Sequence, residues 1–271
     1  MNRPTTVFLL LAFALTWGVW VPRALAGDDP GWTGALAPLS TYGPAAAAVL
    51  TAALTGGRPA LRALGRRLVR WRVGRQWWLL VLAGPVGVWL TAAGAHLAAT
   101  GELGAAPQVL DAGPLGVLAL LPLLLLTDGL GEEVGWRGFA LPEWLRDAGP
   151  ATASLLLGVV WAVWHAPLAW TDGATLEGTA IWLLLLQLPA LAVLHTWVFR
   201  GTGGSALTAV VLHATTSLFA VPLPGGGEPW PPYLLQLAVQ VALAAAVLAG
   251  WRRVRPVRPV PRQRAVADWR G

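Results

Sequence analysis

The sequence predicts an all-α protein, a polytopic bundle of about eight transmembrane helices. Hydrophobic residues make up 56% of the 271 residues, only 12% are charged, and the mean hydropathy is +0.60. This balance is typical of membrane proteins and excludes an ordinary soluble domain. The chain has no cysteine, which excludes disulfides, thiolate metal ligands and thiol nucleophiles.

The apolar runs along the chain predict the individual spans, because about 20 mainly apolar residues are needed to cross a bilayer. The predicted spans are roughly 5–25, 34–56, 77–99, 113–131, 151–170, 178–199, 204–222 and 232–251. The first run, with Arg3 before it and Ala24-Leu25-Ala26 after it, also resembles a secretory signal peptide, so its removal is an alternative. Tryptophans near segment ends are predicted to lie at the membrane interface: Trp20, Trp77, Trp78, Trp170 and Trp251.

Arginines predict the orientation. Eight spans place both termini on one side, and that side also receives the arginines of the second connection and of the tail: Arg58, Arg62, Arg66, Arg67, Arg70, Arg72, Arg75, Arg252, Arg253, Arg255, Arg258, Arg262 and Arg264. The positive-inside rule therefore predicts cytoplasmic termini in a bacterial cytoplasmic membrane. Because these arginines lie at membrane edges, the pI near 11.3 favours anionic lipids rather than nucleic acid as the partner.

Two adjacent acids and an arginine follow the fourth apolar run: Glu132, Glu133 and Arg137. Ionised groups in a bilayer are costly, so they are candidates for function. Glu133 and Arg137 are four residues apart and are predicted to form an ion pair, whereas Glu132 has no cation at helical spacing and is free for chemistry. The helix over 113–131 is predicted to continue to about residue 141, so that these three residues lie on one continuous helix. The alternative is a purely structural role, in which Glu133 and Arg137 form an ion pair that stabilises the helix and Glu132 is a solvated residue at the membrane edge.

The four histidines all fall in predicted spans: His96, His165, His195 and His213. Trp161 lies one turn before His165, and Thr216 and Ser217 follow His213 at three and four residues, on its own face. These neighbours predict a polar cavity around the two imidazoles. His96 is interpreted as a packed or hydrogen-bonded interior histidine, and His195 as an interior packing residue or a minor polar group.

One carboxylate and two histidines in a shielded, wet cavity suit hydrolysis. Glu132 can act as general base on a water molecule, while imidazole and hydroxyl donors stabilise the oxyanion. The same set, Glu132, His165 and His213, can alternatively bind a divalent metal such as zinc. The residues themselves do not separate these two versions.

Three motifs, in order and each in its own span, resemble the CPBP or Abi family: Glu132-Glu133-x-x-x-Arg137-Gly138, Trp161-x-x-x-His165 and His213-x-x-x-Ser217. That family comprises type II CAAX prenyl endopeptidases, often classed as metalloproteases, and bacterial relatives linked to bacteriocin processing and self-immunity. The resemblance covers about residues 113–222. The chain shows no internal repeat and is predicted to form one transmembrane domain over residues 1–251. The composition of residues 252–271, rich in Arg, Pro and Val, predicts a basic, disordered cytoplasmic tail.

The resemblance also implies roles for the site residues. Glu132 would activate the hydrolytic water with help from His165, and His213 with residue 217 would form the oxyanion hole. Glu133 and Arg137 would shape the site. The implied activity is cleavage of a membrane-associated peptide or protein, of CAAX type or resembling a bacteriocin leader.

The chain departs from the family pattern at two positions, of which the first favours an alternative function and the second is conservative. Ser217 stands where the family has Asn, and Trp161 stands where Phe is usual. A serine hydroxyl reaches less far than an amide and offers one rotating proton. The alternative function is therefore a non-catalytic membrane immunity or scaffolding protein of the same family.

Overall fold

The computed structural model describes residues 3–26, 31–104, 106–110, 113–221 and 230–253. Within these ranges there is no β-strand, and the all-α prediction is confirmed. The helices are α1 (Arg3–Ala26), α2 (Gly31–Ser40), α3 (Gly43–Leu68), α4 (Arg75–Thr100), α5 (Gly113–Asp147), α6 (Pro150–His165), α7 (Ile181–Gly201), α8 (Ala206–Leu218) and α9 (Trp230–Arg253). The predicted disorder of the tail lies outside the described residues, apart from the last two residues of α9.

Six helices in the described ranges are long and apolar enough to cross a membrane: α1, α4, α5, α6 with its 3₁₀ extension to Trp170, α7 and α9. The protein is therefore an integral membrane protein. The predicted span 34–56 is divided, because a turn at Thr41–Tyr42 separates α2 from α3 and Pro44 begins the new helix in its first turn. The predicted span 204–222 is the 13-residue α8, which at about 20 Å is shorter than the hydrocarbon core.

The 35-residue α5 carries the two acids and, at about 50 Å, is longer than the hydrocarbon core. Its predicted continuation beyond the apolar run is confirmed, and it ends only at Asp147. Two π-helical segments interrupt it, Leu125–Gly129 and Trp136–Ala140. Pro142 does not break the rod, because it falls in the first turn after the second π segment.

Two glycines fix how α5 is rotated. A Cβ added at Gly131 would lie 2.8 Å from the carbonyl oxygen of Thr41, and one added at Gly135 would lie 2.5 Å from the Cβ of Pro44. Only glycine allows this approach of α5 to the start of α3, as in other close contacts between membrane helices. The contact sets the direction in which the acids between the two glycines point.

An aromatic core lies beside the acids. Phe8 packs edge-on against Trp136, and Trp136 packs edge-on against Trp164. Trp20 has its ring centroid 4.5 Å from that of Trp164 and is 3% exposed. Trp20 therefore faces the bundle and not lipid, because α1 packs against the rest of the bundle along this face; its interfacial depth stays a prediction. Short helix α8 packs among α4, α5 and α7, which brings its one histidine inside.

Candidate active site

The three motifs converge on one buried cluster. Glu132, Glu133 and Arg137 come from the middle of α5, Trp161 and His165 from the end of α6, and His213 from α8. Glu132 is 4% exposed, and Glu133 and Arg137 are fully buried. Three helices distant in sequence thus place an acid and two imidazoles together, as the sequence predicts.

Glu132 presents its two carboxylate oxygens to different partners. Oε2 accepts hydrogen bonds from Trp161 Nε1 at 2.5 Å and from Trp136 Nε1 at 3.3 Å. Oε1 lies 3.8 Å from His165 Nε2 and 4.0 Å from His213 Nε2. Two indoles therefore hold the carboxylate in place, and one oxygen is left facing the imidazoles.

The hydrogen bonds on the far side of each ring orient the two imidazoles. His165 Nδ1 lies 2.9 Å from the Trp161 carbonyl oxygen, so this nitrogen donates. His213 Nδ1 lies 2.9 Å from Glu133 Oε1 and donates to it. In the neutral rings Nε2 then carries the lone pair. Glu132 Oε1 and two Nε2 atoms thus surround a space in which a water molecule would meet three proton acceptors.

Glu133 has a different neighbourhood. Its Oε1 accepts from Arg137 Nη1 at 2.6 Å and from His213 Nδ1, so the predicted ion pair is confirmed. The Arg137 guanidinium also stacks over the Trp161 ring, 4.4 Å from its centroid. Glu133 is therefore held by a cation and an imidazole, and it positions His213 rather than facing the space beside Glu132.

The remaining predicted residues lie at different distances from this centre. Ser217 is half-buried one turn after His213, and its part in an oxyanion hole stays a prediction. His96 is half-buried at the end of α4, with Nδ1 3.0 Å from the Glu102 carbonyl oxygen. His96 is therefore hydrogen-bonded, as its interpretation allowed, but its predicted interior position is wrong, because it lies near a helix end.

Two neighbours of the site were missed by sequence reasoning, which gave His195 only a minor role and did not consider Asp128. His195 is 1% exposed, and its ring centroid lies 6.1 Å from that of His213 and 5.9 Å from that of Trp161. Asp128, in the first π segment one turn before Glu132, is half-buried and near enough to act electrostatically on Glu132 and His213. Both had a signal in the sequence, since each is an ionisable residue inside an apolar run.

The spacing of possible metal ligands differs from the predicted set. Among the described residues, one trio has all its ligand atoms within 4.8 Å of one another, and it consists of Glu133, His195 and His213. Glu133 already pairs with Arg137, whose charge would repel a cation. The alternative of zinc at Glu132, His165 and His213 therefore gains no support from ligand spacing.

A separate cavity of about 610 Å³ lies between α4, α7, α8 and α9. Its lining is mainly apolar, with Thr216, Gln236 and Gln240 among its few polar side chains. Glu132, His165 and His213 do not line it. The face of α8 that carries Thr216 therefore looks into a different space from the face that carries His213. The prediction that Thr216 shares the polar cavity of His213 is wrong, because a residue three positions further along a helix is rotated away by about 60°.

Comparison with known proteins agrees with the motifs. Residues 114–219 match a family described as type II CAAX prenyl endopeptidase Rce1-like. A protein of Methanococcus maripaludis named CAAX prenyl protease 2 is 29% identical over 101 residues, which is 35% of this chain and 37% of that protein. The aligned part thus spans little more than a third of that relative. These matches confirm the resemblance predicted from the three motifs.

Proposed function

From the Rce1-like type II CAAX prenyl endopeptidase character of residues 114–219, we propose that the protein is an intramembrane endopeptidase. Its reaction is hydrolysis of a peptide bond in a membrane-associated peptide or protein. The observation that carries this proposal is the buried carboxylate of Glu132, which faces the Nε2 atoms of His165 and His213 at 3.8 and 4.0 Å.

Glu132 acts as the base in the proposed mechanism. A water molecule beside Oε1 gives a proton to the carboxylate, and its oxygen attacks the scissile carbonyl carbon. His165 positions the water through Nε2. The proton then passes from Glu132 to the leaving amine, which restores the carboxylate. The indole donors of Trp136 and Trp161 keep the carboxylate aimed at the water throughout.

His213 and Ser217 stabilise the negative charge that develops on the carbonyl oxygen. Protonated His213 can donate from Nε2, while its Nδ1 remains bonded to Glu133. Ser217, one turn further along α8, supplies a hydroxyl donor on the same face. Because donors that are already in place need no rearrangement during reaction, the buried Glu133–Arg137 pair supports the rate by fixing His213.

Substrate delivery follows from the arginines of α3 and its neighbouring loop. We place both termini and these arginines on the cytoplasmic side, where they bind anionic lipid headgroups. Arg67 Nη1 donates to the Gly138 carbonyl oxygen at 3.0 Å, so one of these arginines is bonded directly to α5, the helix that carries Glu132. A membrane-bound chain of CAAX type, or one resembling a bacteriocin leader, would reach Glu132 from this side.

The direct test is cleavage by purified protein in liposomes that contain anionic lipid. The substrate is a lipid-anchored peptide library with mass-spectrometric readout of new termini. We expect Glu132→Gln to lower the cleavage rate at least 1000-fold, on the order of the loss when a general base is removed. Glu102→Gln, an exposed glutamate near the end of α4, is the matched control and should cut like the parent. A Glu132→Gln protein that cuts as fast as the parent contradicts the assignment of Glu132 as the base. A parent protein that cuts no peptide contradicts the peptidase proposal and favours a non-catalytic immunity or scaffolding role.

A further inference from the structure

Behind the imidazole of His213 lies a second polar cluster, formed by Glu133, Arg137 and His195. Four buried atoms in it have no hydrogen-bond partner among the described residues: Glu133 Oε2, Arg137 Nε, Arg137 Nη2 and His195 Nε2. A buried polar atom without a partner costs about 1–3 kcal/mol, and more when it is charged. A cluster of four therefore points to a bound ligand that pairs with them.

The ligand must both donate and accept. His195 Nδ1 lies 2.8 Å from the Leu191 carbonyl oxygen and donates to it, so neutral Nε2 is an acceptor. Glu133 Oε2 is an acceptor as well. Arg137 Nε and Nη2 are donors, and the Trp161 ring over which the guanidinium lies offers them no lone pair.

This pattern discriminates among ligand classes. A divalent metal would pair with Glu133 and His195, yet it would leave both Arg137 donors unpaired and place a second cation beside the guanidinium. An anion would pair with Arg137 and be repelled by Glu133. Water accepts and donates, carries no net charge and typically makes about three hydrogen bonds when buried.

We propose that Glu133, Arg137 and His195 bind one or two internal water molecules, and that His195 is a positioning residue for the site. The water connects His195 Nε2 to Glu133 Oε2 and to the free donors of Arg137. Glu133 Oε1, in turn, holds Nδ1 of His213. His195 thereby fixes the carboxylate that orients His213, without touching the space beside Glu132. Its effect on the rate rests on the proposed peptidase function, whereas the water site does not.

A structure at a resolution that resolves water tests the site without reference to activity. We expect density within about 2.7–3.2 Å of His195 Nε2 and Glu133 Oε2, the range of ordinary hydrogen bonds. It should be lost in His195→Leu and kept in His195→Gln, whose amide can still pair with water. An ion at about 2.0–2.2 Å from these atoms, with matching zinc content by mass spectrometry, overturns the proposal. A dry cluster in the parent protein overturns it too.

Kinetics test the positioning role separately. His195→Leu should lower kcat about tenfold with little change in KM, and His195→Gln should recover most of that loss. His96→Leu, at a histidine remote from the site, is the matched control and should leave kcat unchanged. Equal kcat for His195→Leu and the parent contradicts the positioning role. If the parent protein cleaves no peptide, the proposed function fails. The water site is tested independently, by the electron density beside His195 and Glu133.

Discussion

Glu132 and Glu133 are neighbours in the chain, yet they occupy two regions of the protein that differ in kind. Glu132 is held by two indole N–H groups and keeps one oxygen turned towards two imidazoles. Glu133 is neutralised by Arg137 and bonded to His213. Burial is nearly the same for both. The groups that contact each carboxylate, rather than its burial, therefore decide which acid is suited to chemistry and which is suited to structure.

The largest expected effect is a loss of stability when the charge of Glu133 is removed. Glu133→Gln leaves the buried guanidinium of Arg137 without a counter-charge, which typically costs about 3–5 kcal/mol. We expect a matching loss in the free energy of unfolding, measured by denaturant titration in mixed micelles. Glu132→Gln should unfold like the parent, because the amide oxygen can still accept from the indoles.

The double variant Glu133→Gln, Arg137→Met is the control for that experiment. It removes both charges and keeps an acceptor for His213 Nδ1. Replacing a buried ion pair as a whole is often neutral, so most of the lost stability should return. A Glu133→Gln variant that is as stable as the parent would contradict the view that Glu133 stabilises the fold by neutralising Arg137.

The next effect concerns His165, the imidazole that faces Glu132 but not Glu133. His165→Ala should lower kcat about 100-fold, the usual order of magnitude for loss of a group that assists proton transfer. Stability should change little, because His165 makes no contact with the Glu133–Arg137 pair. Rates and unfolding are measured on the same preparations, with His96→Ala as the control. A fall in rate that merely follows the folded fraction would assign His165 to structure.

A smaller effect separates the two indoles that hold Glu132. Trp161→Phe removes the donor at 2.5 Å, and Trp136→Phe removes the donor at 3.3 Å. We expect about a tenfold loss in kcat for Trp161→Phe, since a hydrogen bond to a charged group is worth about 1.5 kcal/mol or more. Trp136→Phe should lose less. The reverse order in steady-state kinetics would show that the shorter bond does not hold the carboxylate.

The smallest effect concerns Ser217. Ser217→Asn should raise kcat a few-fold, because an amide donor reaches further than a hydroxyl, and Ser217→Ala should lower it. Thr216→Val is the control, as Thr216 lines the separate apolar cavity and should leave the rate unchanged. Ser217 variants that all match the parent in single-turnover rates would remove this residue from the oxyanion hole.

Periodicity and apolar run length predicted most of the architecture, because they depend on local backbone geometry and on membrane thickness. The Glu133–Arg137 pair followed from its four-residue spacing alone. The turn at Thr41–Tyr42 was not predicted, although polar residues and the pair Gly43-Pro44 interrupt the apolar run there. The contact of this turn and of the start of α3 with Gly131 and Gly135 is long-range.

The position of His195 was also beyond sequence reasoning. Its proximity to His213 depends on how α7 packs beside α8, and no spacing along the chain encodes that packing. Asp128 lies at helical spacing from Glu132, but the π segment that holds it is not visible in the apolar pattern. Contacts within one helix were thus predictable from spacing, and the grouping of Glu132 with His165 and His213 was predictable from their motifs, whereas the neighbours around this group required the fold.

The two π segments of α5 carry a consequence for evolution by insertion and deletion. Each holds one residue more than a regular α-helix would need for the same turn. Removing one residue from Leu125–Gly129 would restore regular winding and leave Gly113–Leu124 facing the same neighbours relative to Glu132. Removing one residue from the regular part of Gly113–Leu124 would instead turn the helix upstream of the deletion by about 100° around its axis. The first π segment is therefore the place where a single codon can be lost without changing which side of that half-helix faces lipid.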